Sequence, residues 1–117
     1  MKGYVVCVYK NITNEEKLKE YAVKARIAVE KYKGKFLIRG GKATANEGES
    51  SLRTVVIEFP SYDEANLFYK SKEYQEAHEI LKGHAIRHHQ TIRVLSIVLA
   101  RYLSIAINTR LLLNNRV

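Results

Sequence analysis

Residues 36–77, FLIRGGKATANEGESSLRTVVIEFPSYDEANLFYKSKEYQEA, constrain this chain more than any other stretch. Two apolar, β-branched runs flank a small polar loop, so they read as the strands of a hairpin. Gly40-Gly41 breaks or bulges the first strand. Pro60 closes the second, and Ser61-Tyr62-Asp63-Glu64 has the spacing of a capping box that opens a helix. Ala65, Phe68 and Tyr69 fall on one stripe of that helix. Ser71 has the chemistry of a second N-cap, which predicts a break near residue 70 and a restart through Tyr74, Ala77 and Leu81.

The flanking segments complete a pattern. Residues 3–10, GYVVCVYK, read as a strand buried on both faces or nearly so. Thr13-Asn14-Glu15-Glu16 predicts a capping box with Thr13 as the cap. The helix after it places Leu18, Tyr21, Ala22, Ala25, Val29 and Tyr32 on one face, and Gly34 is expected to end it. Strands are predicted over 35–39, 52–59 and 91–98, with 42–51 as the hairpin loop. The order β-α-β-β-α-β specifies an α+β, ferredoxin-like fold: a four-stranded antiparallel sheet with its helices on one face. Residues 1–97 form this domain, and 98–117 are a C-terminal extension.

The other face of the sheet would be bare. Val56 alternates with Glu58 on strand three and Leu37 with Arg39 on strand two, which is too apolar a surface for open water. A second copy of the chain is the simplest cover. Arg39 and Glu58 stand out because a charge in an apolar strand is costly unless paired or in contact with a ligand. Both are expected on the bare face. Arg39 could clamp a carboxylate or phenolate, and Glu58 could act as a general base or orient the arginine. The alternative is a structural salt bridge that fixes register or a dimer.

Around them, Glu47 and Arg53 flank the loop and could pair across it. Gly40 and Gly41 could admit a ligand close to the backbone, although a bulge with positive φ is the simpler role. Tyr4 is the tyrosine nearest a ligand on the bare face, while Tyr21 and Tyr69 belong to the core. His84 and His88 are four apart, yet there is no HExxH and no third ligand, so no metal is assigned. The chain has no phosphate-binding glycine loop or dinucleotide fingerprint, so no cofactor is assigned either.

The 117 residues suit one domain, and their net charge of +8 is uneven. Residues 80–117 hold six Lys/Arg and no acid. Strands one and three lack the aromatic pattern of an RNA-stacking sheet, which argues against nucleic acid as a partner. The tail repeats Leu99, Leu103, Ile107 and Leu111 at spacings of four and is interrupted by Arg101. It is too short for a membrane span, and an amphipathic helix docked on the domain or on a partner subunit is the preferred reading over an anionic membrane surface or no role at all. Cys7 lies in an apolar strand and reads as a buried structural thiol. One cysteine and no signal peptide fit a reducing, cytoplasmic compartment.

Several pieces occur together and in order: Lys2-Gly3-Tyr4, Tyr21, the segment Tyr32 to Gly41, Glu47-Gly48, Arg53, Val56 to Ser61, and Ser71 to Gln75. Over residues 2–81 the chain resembles the domain-of-unknown-function family 1330 (DUF1330), of the dimeric α+β-barrel superfamily. The resemblance implies a homodimer whose two sheets face each other around a barrel-like space. It stops short of the acid-free tail, where the family usually ends. Two functions follow. One is binding or transforming a small anionic or aromatic molecule in that space, which leaves open whether the protein is an enzyme. The other is a non-catalytic module whose sheet face only mediates dimerisation.

Overall fold

The structure is a computed structural model that describes residues 1–95 and 97–114, with the side chains of 97–100, 102 and 111–114 outside the described set. Its elements are β1 (Gly3–Ile12), α1 (Glu15–Lys31), β2 (Lys35–Arg39), β3 (Arg53–Phe59), α2 (Tyr62–Lys70), α3 (Lys72–Leu81), β4 (Ala85–Arg93) and α4 (Ile97–Asn114). The strands form one antiparallel sheet in the order β2-β3-β1-β4. This is the ferredoxin-like arrangement expected from the element order.

The helices cover one face, as period-2 alternation requires of β1: Gly3, Val5, Cys7 and Tyr9 are buried, and Tyr4, Val6 and Val8 are not. Ile57 and Phe59 of β3 join that core, with Leu18, Tyr21, Ala25, Ala28 and Val29 from α1 and Phe68, Tyr74 and Ala77 from α2 and α3. Gly3 is where sheet and helix come closest. A Cβ there would lie 2.6 Å from the Tyr62 Cα.

Ser61 caps α2 by accepting from the Glu64 N–H at 3.0 Å. Ser71 breaks the long helix and caps α3 by accepting from the Tyr74 N–H at 3.1 Å. At α1 the cap is Asn14, one residue later than the sequence suggests: its side chain accepts from the Lys17 N–H. Thr13 instead donates its hydroxyl to the His84 carbonyl, tying the start of α1 to the start of β4. Gly34 does not supply the left-handed turn that ends α1; Lys33 does, at φ 62°. Gly34 is needed for space, since a Cβ would meet Val29 and Phe59 within 2.9 Å.

The fourth strand runs over 85–93 rather than 91–98. Periodicity pointed to the more apolar run, but pairing with β1 selects AIRHHQTIR, whose alternate residues face the core. His84 and His88 therefore do not share a helix turn. Residues 97–114 are helical, and the described side chains Leu103, Ile105 and Ile107 are exposed. These three side chains do not pack on the domain of their own chain, and the side chains at 99 and 111 lie outside the described set.

Candidate functional site

The face that the helices cover contains a narrow pocket of about 40 Å³ that opens to solvent. It lies between the sheet and α1, and Phe36, Arg39, Arg53, Tyr21, Arg87 and His89 are among its walls. Two rungs of the sheet build its floor. One runs Arg53–Tyr9–Arg87 across β3, β1 and β4, and the next runs Arg39–Val55–Cys7–His89 across all four strands. Three arginines line the pocket and no carboxylate does.

Arg87 is the centre of the site. Its Nη1 donates to the Tyr9 hydroxyl at 3.1 Å and the Tyr21 hydroxyl at 3.0 Å, with the Cys7 Sγ at 3.5 Å. Its Nη2 donates to the Tyr74 hydroxyl at 2.8 Å. The guanidinium also lies over the Tyr21 and Tyr9 rings, 4.9 and 5.4 Å from their centroids. No ion pair forms between Arg87 and any carboxylate among the described residues. A half-buried cation surrounded only by neutral acceptors is under-compensated, and an anion is the natural complement.

The protonation states follow from this setting. Burial works against the Arg87 charge, but the tyrosine and thiol groups around it outweigh that and hold the guanidinium protonated. Burial raises the Tyr9 and Tyr74 hydroxyls above the ordinary phenol range, so both remain proton donors. Burial also raises the Cys7 thiol, which makes it a packing group rather than a nucleophile. His89 is pushed down to about 3, first by burial and then by the Arg87 charge, so it is a neutral imidazole at ordinary pH. Tyr21 and Tyr74 hydroxyls bond each other at 2.9 Å, which uses only one of their two hydrogens. The pocket thus offers a guanidinium, a free hydroxyl donor and one neutral base. That set can bind and polarise a carboxylate or an enolate-like oxygen.

The residues singled out in the sequence divide between the two faces. Arg39 does not join Glu58. The register between β2 and β3 shifts between Phe36 and Ile38, so Phe36 and Arg39 both lie on the helix side. Strict alternation would have put Arg39 on the bare face; the bulge reverses it. Arg39 stacks over Phe36 at 4.7 Å. Glu58 stays on the bare face, where it accepts from the Tyr4 hydroxyl at 3.0 Å and meets Lys2 Nζ at 3.4 Å. That hydrogen bond raises the Tyr4 phenol. Glu58 and Arg39 therefore lie on opposite faces of the sheet, and Glu58 does not orient Arg39.

Arg53 turns toward β2, and the absence of a Cβ at Gly40 makes room for its Nη1. Gly40 and Gly41 have φ of 82° and 103°, the turn-forming role. Glu47 sits exposed in the loop and does not pair with Arg53 among the described residues. Sequence reading missed Arg87, His89 and the hydroxyls of Tyr9, Tyr21 and Tyr74. A signal existed: Arg87 and His89 alternate within AIRHHQTIR, and Tyr21 and Tyr74 are aromatic core residues that carry a polar tip.

Among the described residues, no group of three His, Cys, Asp or Glu side chains could hold a metal ion, and no helix is long and apolar enough to cross a membrane.

No curated protein matches the chain. Solved structures resemble it in fold. A protein of unknown function from Rhodopseudomonas palustris is 14% identical, with a TM-score of 0.68 over 81% of this chain and 83% of that one. A dimeric ferredoxin-like protein of unknown function from Jannaschia sp. is 10% identical, with a TM-score of 0.66 over 80% of this chain and 100% of that one. An ethyl tert-butyl ether D (EthD) family protein from Bacillus halodurans is 11% identical, with a TM-score of 0.54 over 81% and 100%. The family model "Domain of unknown function (DUF1330)" matches residues 2–95, most of the chain, and the chain belongs to that family.

Proposed function

We propose that this protein binds a small anionic molecule with an apolar or aromatic body in the pocket between its sheet and α1. The observation that carries this is Arg87: a half-buried guanidinium held by three hydroxyls and a thiol, with no carboxylate beside it. The anion completes the charge, and Val55, Ile57 and Phe36 meet the body. Of the residues expected from sequence, Arg39 and Arg53 keep a ligand-binding role, and Gly40 makes room for Arg53.

The bare sheet face carries a second part of the reading. Tyr4, Val6, Val8, Val56, Ile38 and Ile92 lie there, and Ile38 and Ile92 are exposed. A second copy of the chain covers this face, in keeping with the dimeric Jannaschia protein of like fold. In that arrangement Glu58, Tyr4 and Lys2 serve the dimer rather than the ligand. Residues 1–97 are the working domain and 98–117 an appended segment. The buried free thiol suits a reducing, cytoplasmic setting.

The test is calorimetric titration with benzoate, phenylacetate and short alkanoates against their neutral amides. Carboxylates should bind and amides should not. Arg87→Met should weaken carboxylate binding by about tenfold or more, as expected for a lost charge-assisted pair. Equal binding of acids and amides, or undiminished binding by the variant, would sink the reading.

A further inference from the structure

The cations of this pocket stand at two separate places. Arg87 lies on β4, and Arg53 lies opposite the other side of Tyr9, on β3. Two strand spacings separate them, about 10 Å at the backbone. Arg39 is two residues along from Arg53 by register, because it pairs with Val55. Arg39 is drawn to the Phe36 ring and Arg53 toward Gly40, so both lean toward β2 and away from Arg87. Neither forms an ion pair with any carboxylate among the described residues.

Two like charges side by side at the mouth repel each other unless an anion lies between them. Between Arg87 and Arg39 the floor is apolar, Val55 and Cys7, while Tyr9 lies between Arg87 and Arg53. One anion cannot satisfy both poles at that separation. The Arg87 pole is half-buried and held by three hydroxyls and a thiol, while the mouth pole has no such holders among the described residues. Arg39 is exposed and Arg53 half-buried.

We infer that the ligand is a dianion: one acidic group seats on Arg87, the other lies between Arg39 and Arg53, and an apolar spacer crosses Val55 and Cys7. This rests on the reading that the pocket binds an anion at Arg87, and adds the second charge and its position. Arg87 sets affinity for the inner group, and the mouth pair discriminates dianions from monoanions.

The experiment uses matched pairs. Succinate, adipate, suberate and terephthalate are titrated beside their monomethyl esters, which keep the length and lose one charge. The wild-type protein should bind at least one diacid about tenfold more tightly than its monoester, the gain of one further charge-assisted contact. In Arg39→Met/Arg53→Met that preference should vanish, leaving diacid and ester equal at the ester's affinity. A wild-type protein that binds diacids and monoesters equally overturns the dianion while leaving the Arg87 site standing. A double variant that keeps the preference also overturns it. If neither diacids nor esters bind, and the monocarboxylates and alkanoates fail as well, both the dianion and the anion site fall. The double variant changes residues at the pocket mouth, and its circular dichroism and melting temperature should match the wild type.

Discussion

The Arg87 guanidinium donates to the Tyr74 hydroxyl at 2.8 Å, joining β4 to α3 inside the covered face of the sheet. Tyr74 is fully buried, and its hydroxyl also meets that of Tyr21 on α1. One hydroxyl therefore ties two helices to the edge strand through a single charged group. The same hydrogen bonds that shape the core hold the cation in the pocket.

Tyr74→Phe keeps the ring packing against Phe68 and Tyr69 and removes the hydroxyl. It leaves Arg87 Nη2 and the Tyr21 hydroxyl each short of a partner. Urea denaturation should show a loss of about 1–3 kcal/mol, the usual cost of a deleted buried hydrogen bond near a charge. A loss near zero would mean that water replaces the hydroxyl.

Arg87→Met should behave differently. The half-buried charge pairs with no carboxylate among the described residues, so replacing it by an apolar side chain of similar length removes a partial desolvation penalty as well as hydrogen bonds. Stability of the ligand-free protein should fall by less than about 2 kcal/mol or rise, even as anion binding is lost. A collapse of the fold would show that Arg87 is structural first.

His89 gives the protein a pH dependence whose sign can be worked out. Its folded-state value is depressed to about 3 by burial and by Arg87, below the ordinary histidine value. The unfolded chain then takes up this proton before the folded one. Stability is fully present above the unfolded value and is lost as pH falls from about 6.5 toward 3. His89→Gln should remove about 1–2 kcal/mol of the fall in unfolding free energy, measured by urea denaturation, between pH 7 and pH 5. Parallel profiles for the two proteins would refute the assignment.

Gly3→Ala tests the packing of sheet on helix. The added methyl would meet the Tyr62 Cα at 2.6 Å and the Ser61 carbonyl at 2.7 Å, both backbone atoms that cannot swing away. A cost of about 3 kcal/mol is expected, at the upper end of core overpacking. The melting temperature checks it.

Val6→Asp addresses the bare face. Val6 lies in the same sheet row as Val56, Ile38 and Gln90, away from the helices. Light scattering on the eluting protein should report a dimer for wild type and a monomer for the variant, with pocket titrations unchanged. A monomeric wild type would remove the dimer from the proposal.

Local chemistry was legible along the chain. Ser61 and Ser71 act as caps because a hydroxyl followed by an unpaired N–H three residues on is a short-range fact. The alternation of GYVVCVYK and the stripe of α1 likewise report which side is buried. These features, with the element order and the family resemblance, determined the ferredoxin-like fold from the sequence alone. The site was not determined in this way. One bulge at residue 37 reversed the side that Arg39 faces, and no residue type announces such a slip. The fourth strand is polar and lies beside a more apolar run, so periodicity alone does not reveal Arg87 and His89. Tyr9, Tyr21, Tyr74 and Arg87 come from four separate elements, and only tertiary packing brings their polar tips together. Sequence carries the periodicity of each element; register across strands, set by long-range pairing, decides which charges share a pocket.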